Sequence, residues 1–125
     1  MKWLLIGIAA LHAVFMLCEL FPWPAPVLLR IVSKKLPAGE QWTEAQGTLV
    51  ATIVHNAGIY NAILAGGLLY AAYAGDPARD VARVLLAGAV VAGMFGTLTL
   101  RSWLTALQAL LGMIGLGFAW YAQGP

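Results

Sequence analysis

Several side chains able to exchange protons or form strong hydrogen bonds lie inside long apolar stretches of this sequence. They are His12, Glu19, His55, Asn56, Tyr60 and Asn61. Ionisable groups are costly within a membrane, so by default they face the interior of a helix bundle and indicate function. A positioned carboxyl group can act as a general acid and an imidazole as a general base. These residue types therefore point to acid–base chemistry in an apolar environment.

His12 and Glu19 share the first apolar stretch and are seven residues apart. Seven residues turn a helix by about 700°, so both side chains lie on one face. They are also separated by roughly 10 Å along the helix axis, which is too far for direct contact. Each side chain therefore requires a partner on another helix or water in a cavity.

The second apolar stretch carries most of the remaining polar side chains. Each residue turns a helix by about 100°, so positions around the axis of this helix can be measured from His55. On that scale Thr48, Thr52, Asn56 and Tyr60 lie at about 20°, 60°, 100° and 140°, and with His55 they form one polar stripe. Asn61 lies apart from this stripe, at about 240°. We expect the stripe to face the His12 and Glu19 side of the first helix and to form one polar chamber with it.

The composition determines which elements must position these groups. Hydrophobic residues make up 62% of the 125 residues and charged residues only 10%, and the mean hydropathy is +0.84. A typical soluble domain is about 25% charged, so a water-soluble monomer is excluded. Because a membrane-spanning helix needs about 20 apolar residues, the sequence predicts an all-α, membrane-embedded four-helix bundle. The net charge of +2 is dispersed along the chain and forms no dense basic cluster, so we expect no nucleic-acid partner.

The charge-free stretches place the spans within one domain, 1–125, at about 2–21, 45–74, 80–100 and 102–121. The second stretch is longer than one perpendicular crossing requires, so it must tilt or project beyond the bilayer. The long connection between the first two spans contains an amphipathic segment, 27–36, that could be an interfacial helix or an ordinary basic loop. Lys and Arg residues divide three against four between the two sides, so the orientation stays open.

Small residues recur every four positions in the third span. One row consists of Gly88, Ala92 and Gly96, and a second of Ala89, Gly93 and Thr97. Such rows allow membrane helices to approach closely. We therefore expect the third and fourth spans to form a tight antiparallel hairpin.

The polar residues have other interpretations than catalysis. They could hold the helices together by hydrogen bonds, or line an ion or proton path. His12, Glu19 and His55 could supply two imidazoles and a carboxylate to a metal, but no metal-binding spacing accompanies them. We therefore expect no metal and no cofactor. Cys18 is the only cysteine, which excludes an intramolecular disulfide.

Three motifs resemble one bacterial family. The first is His12 followed by Glu19-Leu-Phe-Pro-Trp-Pro, the second is Asn56-Ala-Gly-Ile-Tyr-Asn61 with the tail Leu64-Ala-Gly-Gly-Leu68, and the third is Gln108 before a small residue. The pattern resembles the family known as "domain of unknown function 1304", and it covers essentially the whole chain. Ala57 departs from it, because the family usually has Gln at that position. The resemblance implies a small four-helix, multi-pass protein of the bacterial inner (plasma) membrane, and it brings no established activity.

The leading hypothesis is a membrane-embedded enzyme that isomerises or cyclises a lipophilic, isoprenoid- or sterol-like substrate. Glu19 would be the acid and His55 or His12 the base. The substrate-binding candidates are Asn56, Tyr60, Asn61, Trp103, Gln108 and Arg101. We expect Arg101 to be the charge partner of Glu19, with His55 as the next candidate.

Two other classes of protein fit the same residues. One is a small multidrug-like transporter or lipophile-binding protein, for which a homo-oligomer is expected. The other is an assembly subunit whose polar stripe docks a partner helix. All three hypotheses place the chain in contact with membrane lipid. The enzyme and the transporter or lipophile-binding protein would also bind a lipophilic small molecule.

Overall fold

The computed structural model describes residues 1–21, 33–34, 36–37, 39–41 and 43–121. Its four long helices are α1 (Lys2–Leu20), α2 (Glu44–Ala74), α3 (Arg79–Leu100) and α4 (Trp103–Tyr121), and a single 3-10 turn, Asp76–Ala78, precedes α3. Each long helix is apolar enough and long enough to cross a membrane. The predicted all-α four-helix fold is therefore confirmed, and the chain is a multi-pass membrane protein.

Local signals set the ends of the helices. At the start of α2, Thr43 and Gln46 each bind the other's backbone N–H group through their side chains, which is the reciprocal arrangement of a capping box. Gly75 ends α2 with a φ of +69°, in the region that favours glycine. Arg101 ends α3 in the left-handed conformation, and the Ser102 hydroxyl accepts a hydrogen bond from the first turn of α4. The α3–α4 connection is therefore a tight turn.

The helices pack as two antiparallel pairs, α1 with α2 and α3 with α4. The buried residues that join the pairs lie at one end of the bundle, where α1 begins and α4 ends. They are Leu5, Ile8, Ala9, Leu68, Ala71, Ala72, Ala78, Ala82, Leu86 and Ala119. The main apolar core therefore occupies that end, and it is distinct from the end at which Glu19 lies.

The register of α2 against α1 follows from one close contact. A Cβ atom on Gly58 would lie 2.8 Å from Leu20 Cγ and 3.2 Å from Glu19 Cβ, so Gly58 is level with the last turn of α1. The first 14 residues of α2, 44–57, therefore extend past the end of α1 by about 20 Å, at 1.5 Å per residue. Whether this extension projects beyond the bilayer or is accommodated by tilt stays a prediction.

The α3–α4 seam contains one of the two predicted rows of small residues. Ala89 and Gly93 are buried, and a Cβ atom on Gly93 would lie only 2.5 Å from the backbone nitrogen of Ala109. In the other row, Gly88 has nothing within 4 Å of a Cβ position, and Gly96 alone contacts α4, through Thr105. The backbones of α3 and α4 thus approach closely along the row that contains Gly93.

The amphipathic segment predicted at 27–36 lies outside the described residues, apart from 33, 34 and 36.

Candidate functional site: a His–Asn–Glu bridge between α1 and α2

Asn61 of α2 connects the two ionisable side chains of α1. Its side-chain oxygen, Oδ1, lies 2.7 Å from Nδ1 of His12, and its Nδ2 group donates a 2.6 Å hydrogen bond to Oε2 of Glu19. The two α1 side chains are too far apart along the helix to bond directly. One amide from the facing helix therefore bonds to both side chains, which is the first of the two alternatives expected from the sequence, a partner on another helix or water in a cavity.

The sequence of α2 explains why Asn61 can reach both groups. Gly58 precedes Asn61 by three residues and Ala65 follows it by four, so the three positions share a helix face. Gly58 and Ala65 are both buried, and Gly58 lies against Leu20 and Glu19 of α1. Because Gly58 has no side chain, α1 approaches α2 closely beside Glu19. The small residues thus bring the two helices within reach of one amide.

The hydrogen bonds define which nitrogen of His12 is free. With the Asn61 amide in this orientation its oxygen accepts, and Nδ1 of His12 then carries the proton and donates it. His12 is fully buried, and its other nitrogen, Nε2, has no hydrogen-bond partner among the described residues. The ring of Phe15 lies edge-on to the imidazole, with centroids 6.0 Å apart. In the neutral ring, Nε2 therefore presents a lone pair in an apolar environment.

The same amide orientation fits two proton distributions. When both groups are neutral, His12 donates from Nδ1 and the carbonyl oxygen of protonated Glu19 accepts from Nδ2. After a proton moves from Glu19 to Nε2 of His12, the imidazolium still donates to Oδ1 and the carboxylate still accepts from Nδ2. Hydrogen bonds to charged groups are stronger than neutral ones. Asn61 can therefore stabilise the separated charges without rearranging.

The expected chamber joining Glu19 to the polar stripe is not observed. His55, Asn56 and Tyr60 are exposed, and none of them is hydrogen-bonded to Glu19, whose partner is Asn61. The register explains His55 and Asn56, because both precede Gly58 and lie past the end of α1. Tyr60 is 61% exposed and lies on a different face of α2 from Gly58 and Asn61. Asn61, which the sequence places apart from the stripe, is the residue that faces α1.

The expected ion pair between Glu19 and Arg101 is also wrong. Arg101 is exposed at the α3–α4 turn, where its backbone ends α3. The salt bridges found in the described part of the chain, Arg79 with Asp76 and Arg83 with Asp80, involve neither residue. A neutral amide partner at 2.6 Å takes the place of the expected cation.

The two remaining candidates lie on α4. Trp103 is 72% exposed, at the start of the helix. Gln108 is buried, and its Nε2 group donates a 3.3 Å hydrogen bond to the backbone oxygen of Ala89 on α3. In this position Gln108 ties α4 to α3, and its hydrogen bond goes to the α3 backbone and not to a member of the bridge. Within the residues that the structure describes, no group of three His, Cys, Asp or Glu side chains could hold a metal ion.

These features define a small, multi-pass helical membrane protein with a hydrogen-bonded His–Asn–Glu bridge in its first helix pair. Residues 6–120 match the family model described as "Protein of unknown function (DUF1304)", and the chain belongs to that family. This confirms the resemblance drawn from the motifs. No curated protein and no solved structure matches the chain.

Proposed function

We propose that the protein is a membrane-embedded enzyme that acts by general acid–base chemistry on a lipophilic substrate. The observation that supports this is the His12–Asn61–Glu19 bridge, in which a buried imidazole has one nitrogen fixed and the other unpartnered. A base held in orientation by a third group is the usual arrangement of an activated catalytic base. We assign His12 as the base, Glu19 as the acid and Asn61 as the positioning residue.

The proposed reaction is a double-bond isomerisation. Glu19 gives its proton to one carbon of a double bond, and Nε2 of His12 removes a proton from a carbon beside the resulting cation. The double bond moves and the substrate keeps its atomic composition. Each turnover leaves a carboxylate and an imidazolium. Before the next turnover the imidazolium of His12 gives its proton to water and the carboxylate of Glu19 takes a proton from water. A protonation-triggered cyclisation requires the same acid and the same base.

An isoprenoid- or sterol-like substrate suits the surroundings of the bridge. The bridge lies within helices that can cross a membrane, so a substrate dissolved in the bilayer would approach it from the hydrocarbon. Because His12 is fully buried, the helices around it must part before a substrate contacts Nε2. Phe15 places an aromatic ring beside His12, and aromatic rings attract cations through their faces. The family membership supports a bacterial inner-membrane location as part of the same proposal.

Isotope incorporation provides the test. The full-length protein, reconstituted in lipid nanodiscs in D2O, is incubated with polyprenyl, epoxy-prenyl and sterol-like lipids, and products are separated by mass spectrometry. We expect a product carrying one solvent deuterium from the wild-type protein. Removing a general acid or base costs about 10²–10⁴-fold in rate, so Glu19→Gln and His12→Gln should each reduce turnover by about that factor. Glu44→Gln, an exposed Glu in the first turn of α2, is the matched control.

Two results would refute the proposal. The first is a wild-type protein that forms no product from any of these lipids. The second is a rate that falls with His55→Gln and not with His12→Gln, which would make the exposed histidine the base. Asn61→Leu tests the positioning role. If Asn61 only orients His12 and Glu19, this variant should have a lower rate and an unchanged affinity for substrate.

A lipophile-binding or transport function is the second candidate. It is favoured by the face of α2 that carries Asn56 and Tyr60, which this chain leaves exposed and which a second copy could cover. Here the same lipids would be retained through purification without conversion, and the purified protein would have the mass of a homodimer. A monomer that converts lipid would exclude this candidate.

A further inference from the structure

A second polar feature lies at the opposite end of the bundle from Glu19. A cavity of about 350 Å³ opens between the start of α1, the end of α2 and the start of α3. Its apolar floor includes Leu5, Ala71 and Ala82, all of them buried. Lys2 and Arg79 are among the charged residues that line it. The volume falls within the range of about 300–1,000 Å³ that is typical of small-molecule sites.

The charges lining the cavity are held in place and sum to a positive value. The ammonium group of Lys2 lies 4.3 Å from the centroid of the Tyr73 ring, and Arg79 is paired with Asp76. Lys2 has no salt bridge within the described part of the chain. The lining side chains, two cations and one carboxylate, have a net charge of +1. Both cations retain N–H donors that these contacts do not use.

The position of these charges at the ends of the membrane helices indicates which class of ligand the cavity suits. Lys2 begins α1, Asp76 follows the end of α2 and Arg79 begins α3, so the mouth of the cavity lies where membrane helices end and lipid headgroups begin. The floor extends from there toward the hydrocarbon. Basic pockets between membrane helices are the sites that bind anionic lipid headgroups.

We propose that this cavity binds the phosphate headgroup of an anionic membrane lipid. Lys2 and Arg79 hold the phosphate oxygens, and the glycerol and first acyl carbons lie on the apolar floor. Free inorganic phosphate has the same charge chemistry, but it would leave the apolar floor without a partner. The lipid uses both parts of the cavity. This site is independent of the proposed acid–base function.

Native mass spectrometry of the full-length protein in detergent can test the proposal. Phosphatidylglycerol is titrated against phosphatidylcholine of the same chain length, and inorganic phosphate is added as a competitor. A basic residue near a membrane contributes about 1 kcal/mol to anionic-lipid binding, which is roughly fivefold in affinity. We therefore expect Lys2→Gln and Arg79→Gln each to weaken phosphatidylglycerol binding by about fivefold. Lys34→Gln, an exposed cation in the α1–α2 connection, is the matched control and should leave it unchanged.

A fourth variant changes the affinity in the opposite direction. Asp76→Asn removes the carboxylate that lines the cavity and raises the net charge of the lining side chains from +1 to +2. It should tighten phosphatidylglycerol binding, by a factor of similar size. This result would support the proposal even if Arg79→Gln did not fold.

Three outcomes would overturn the proposal. Equal binding of phosphatidylcholine would show that the charge has no role. Equal weakening by Lys34→Gln and Lys2→Gln would show diffuse attraction with no defined site. Displacement of the lipid by inorganic phosphate at a matched concentration would assign the cavity to the free anion.

Discussion

The α3–α4 seam allows the packing of this membrane protein to be measured with two single substitutions. Replacing Gly by Ala in a helix interior favours the helix by about 0.5–1 kcal/mol, and this gain is common to Gly93→Ala and Gly88→Ala. At Gly88 the added methyl group meets nothing within 4 Å. At Gly93 it would lie 2.5 Å from the Ala109 nitrogen and 2.8 Å from the Thr105 oxygen. Those are backbone atoms, so the helices must separate.

Overpacking of this kind costs about 1–3 kcal/mol. Gly88→Ala should therefore be as stable as the wild type or slightly more so, and Gly93→Ala should be about 1–3 kcal/mol less stable than Gly88→Ala. The assay is reversible unfolding of the purified protein in mixed micelles, followed by circular dichroism. Leu at the same two positions should widen the difference. Equal stability of the two Ala variants would mean that Gly93 faces lipid, and the arrangement of α3 against α4 would be wrong.

Three further predictions use the same unfolding assay. Gln108→Leu should cost only about 0.6 kcal/mol, the average for a membrane hydrogen bond, and a loss above about 2 kcal/mol would give Gln108 a larger role than one bond to α3. Gly58→Val should lower the free energy of unfolding by about 1–3 kcal/mol through overpacking. Its effect should not add to that of Glu19→Gln, because the new side chain displaces Glu19. Strictly additive losses in the double variant would contradict this. Arg83 donates two hydrogen bonds to a backbone carbonyl oxygen near the end of α4, so Arg83→Gln should cost about 1–2 kcal/mol, whereas Arg101→Gln should cost less than about 0.5 kcal/mol.

The fold could be predicted because its signals are local. A helix needs about 20 apolar residues to cross the hydrocarbon, and the charge-free stretches of this sequence show where such helices can lie. Pro77 and the pair Arg101–Ser102 leave little chain between neighbouring helices. The small residues of α3 do not show which of their two rows contacts α4. Gly88 and Gly93 have equivalent spacing patterns, and only the position of α4 distinguishes them.

The site was predicted less well than the fold, for two physical reasons. A helical wheel shows which residues of α2 share a face, but it does not show which face meets α1. The stripe with the most polar residues includes His55 and Tyr60, and the contact is made instead on the face with Gly58 and Asn61. The second reason is register, because no local signal places Gly58 level with the end of α1. One sequence signal could have identified Asn61, namely its spacing of three and four residues from Gly58 and Ala65.

The two helix pairs differ in which residues form their contacts, so substitutions in them should have different effects on stability and on the proposed chemistry. The α3–α4 seam is closed by small residues whose backbones touch at Gly93, so a substitution there should change stability and leave the His12 environment intact. In the α1–α2 contact, Gly58 and Asn61 lie one turn apart, and the close approach that Gly58 permits is what lets Asn61 reach Glu19. Stability and the proposed chemistry therefore depend on the same residues in α1 and α2. A substitution that loosens this pair should reduce both together, whereas one that loosens α3 from α4 should reduce stability first.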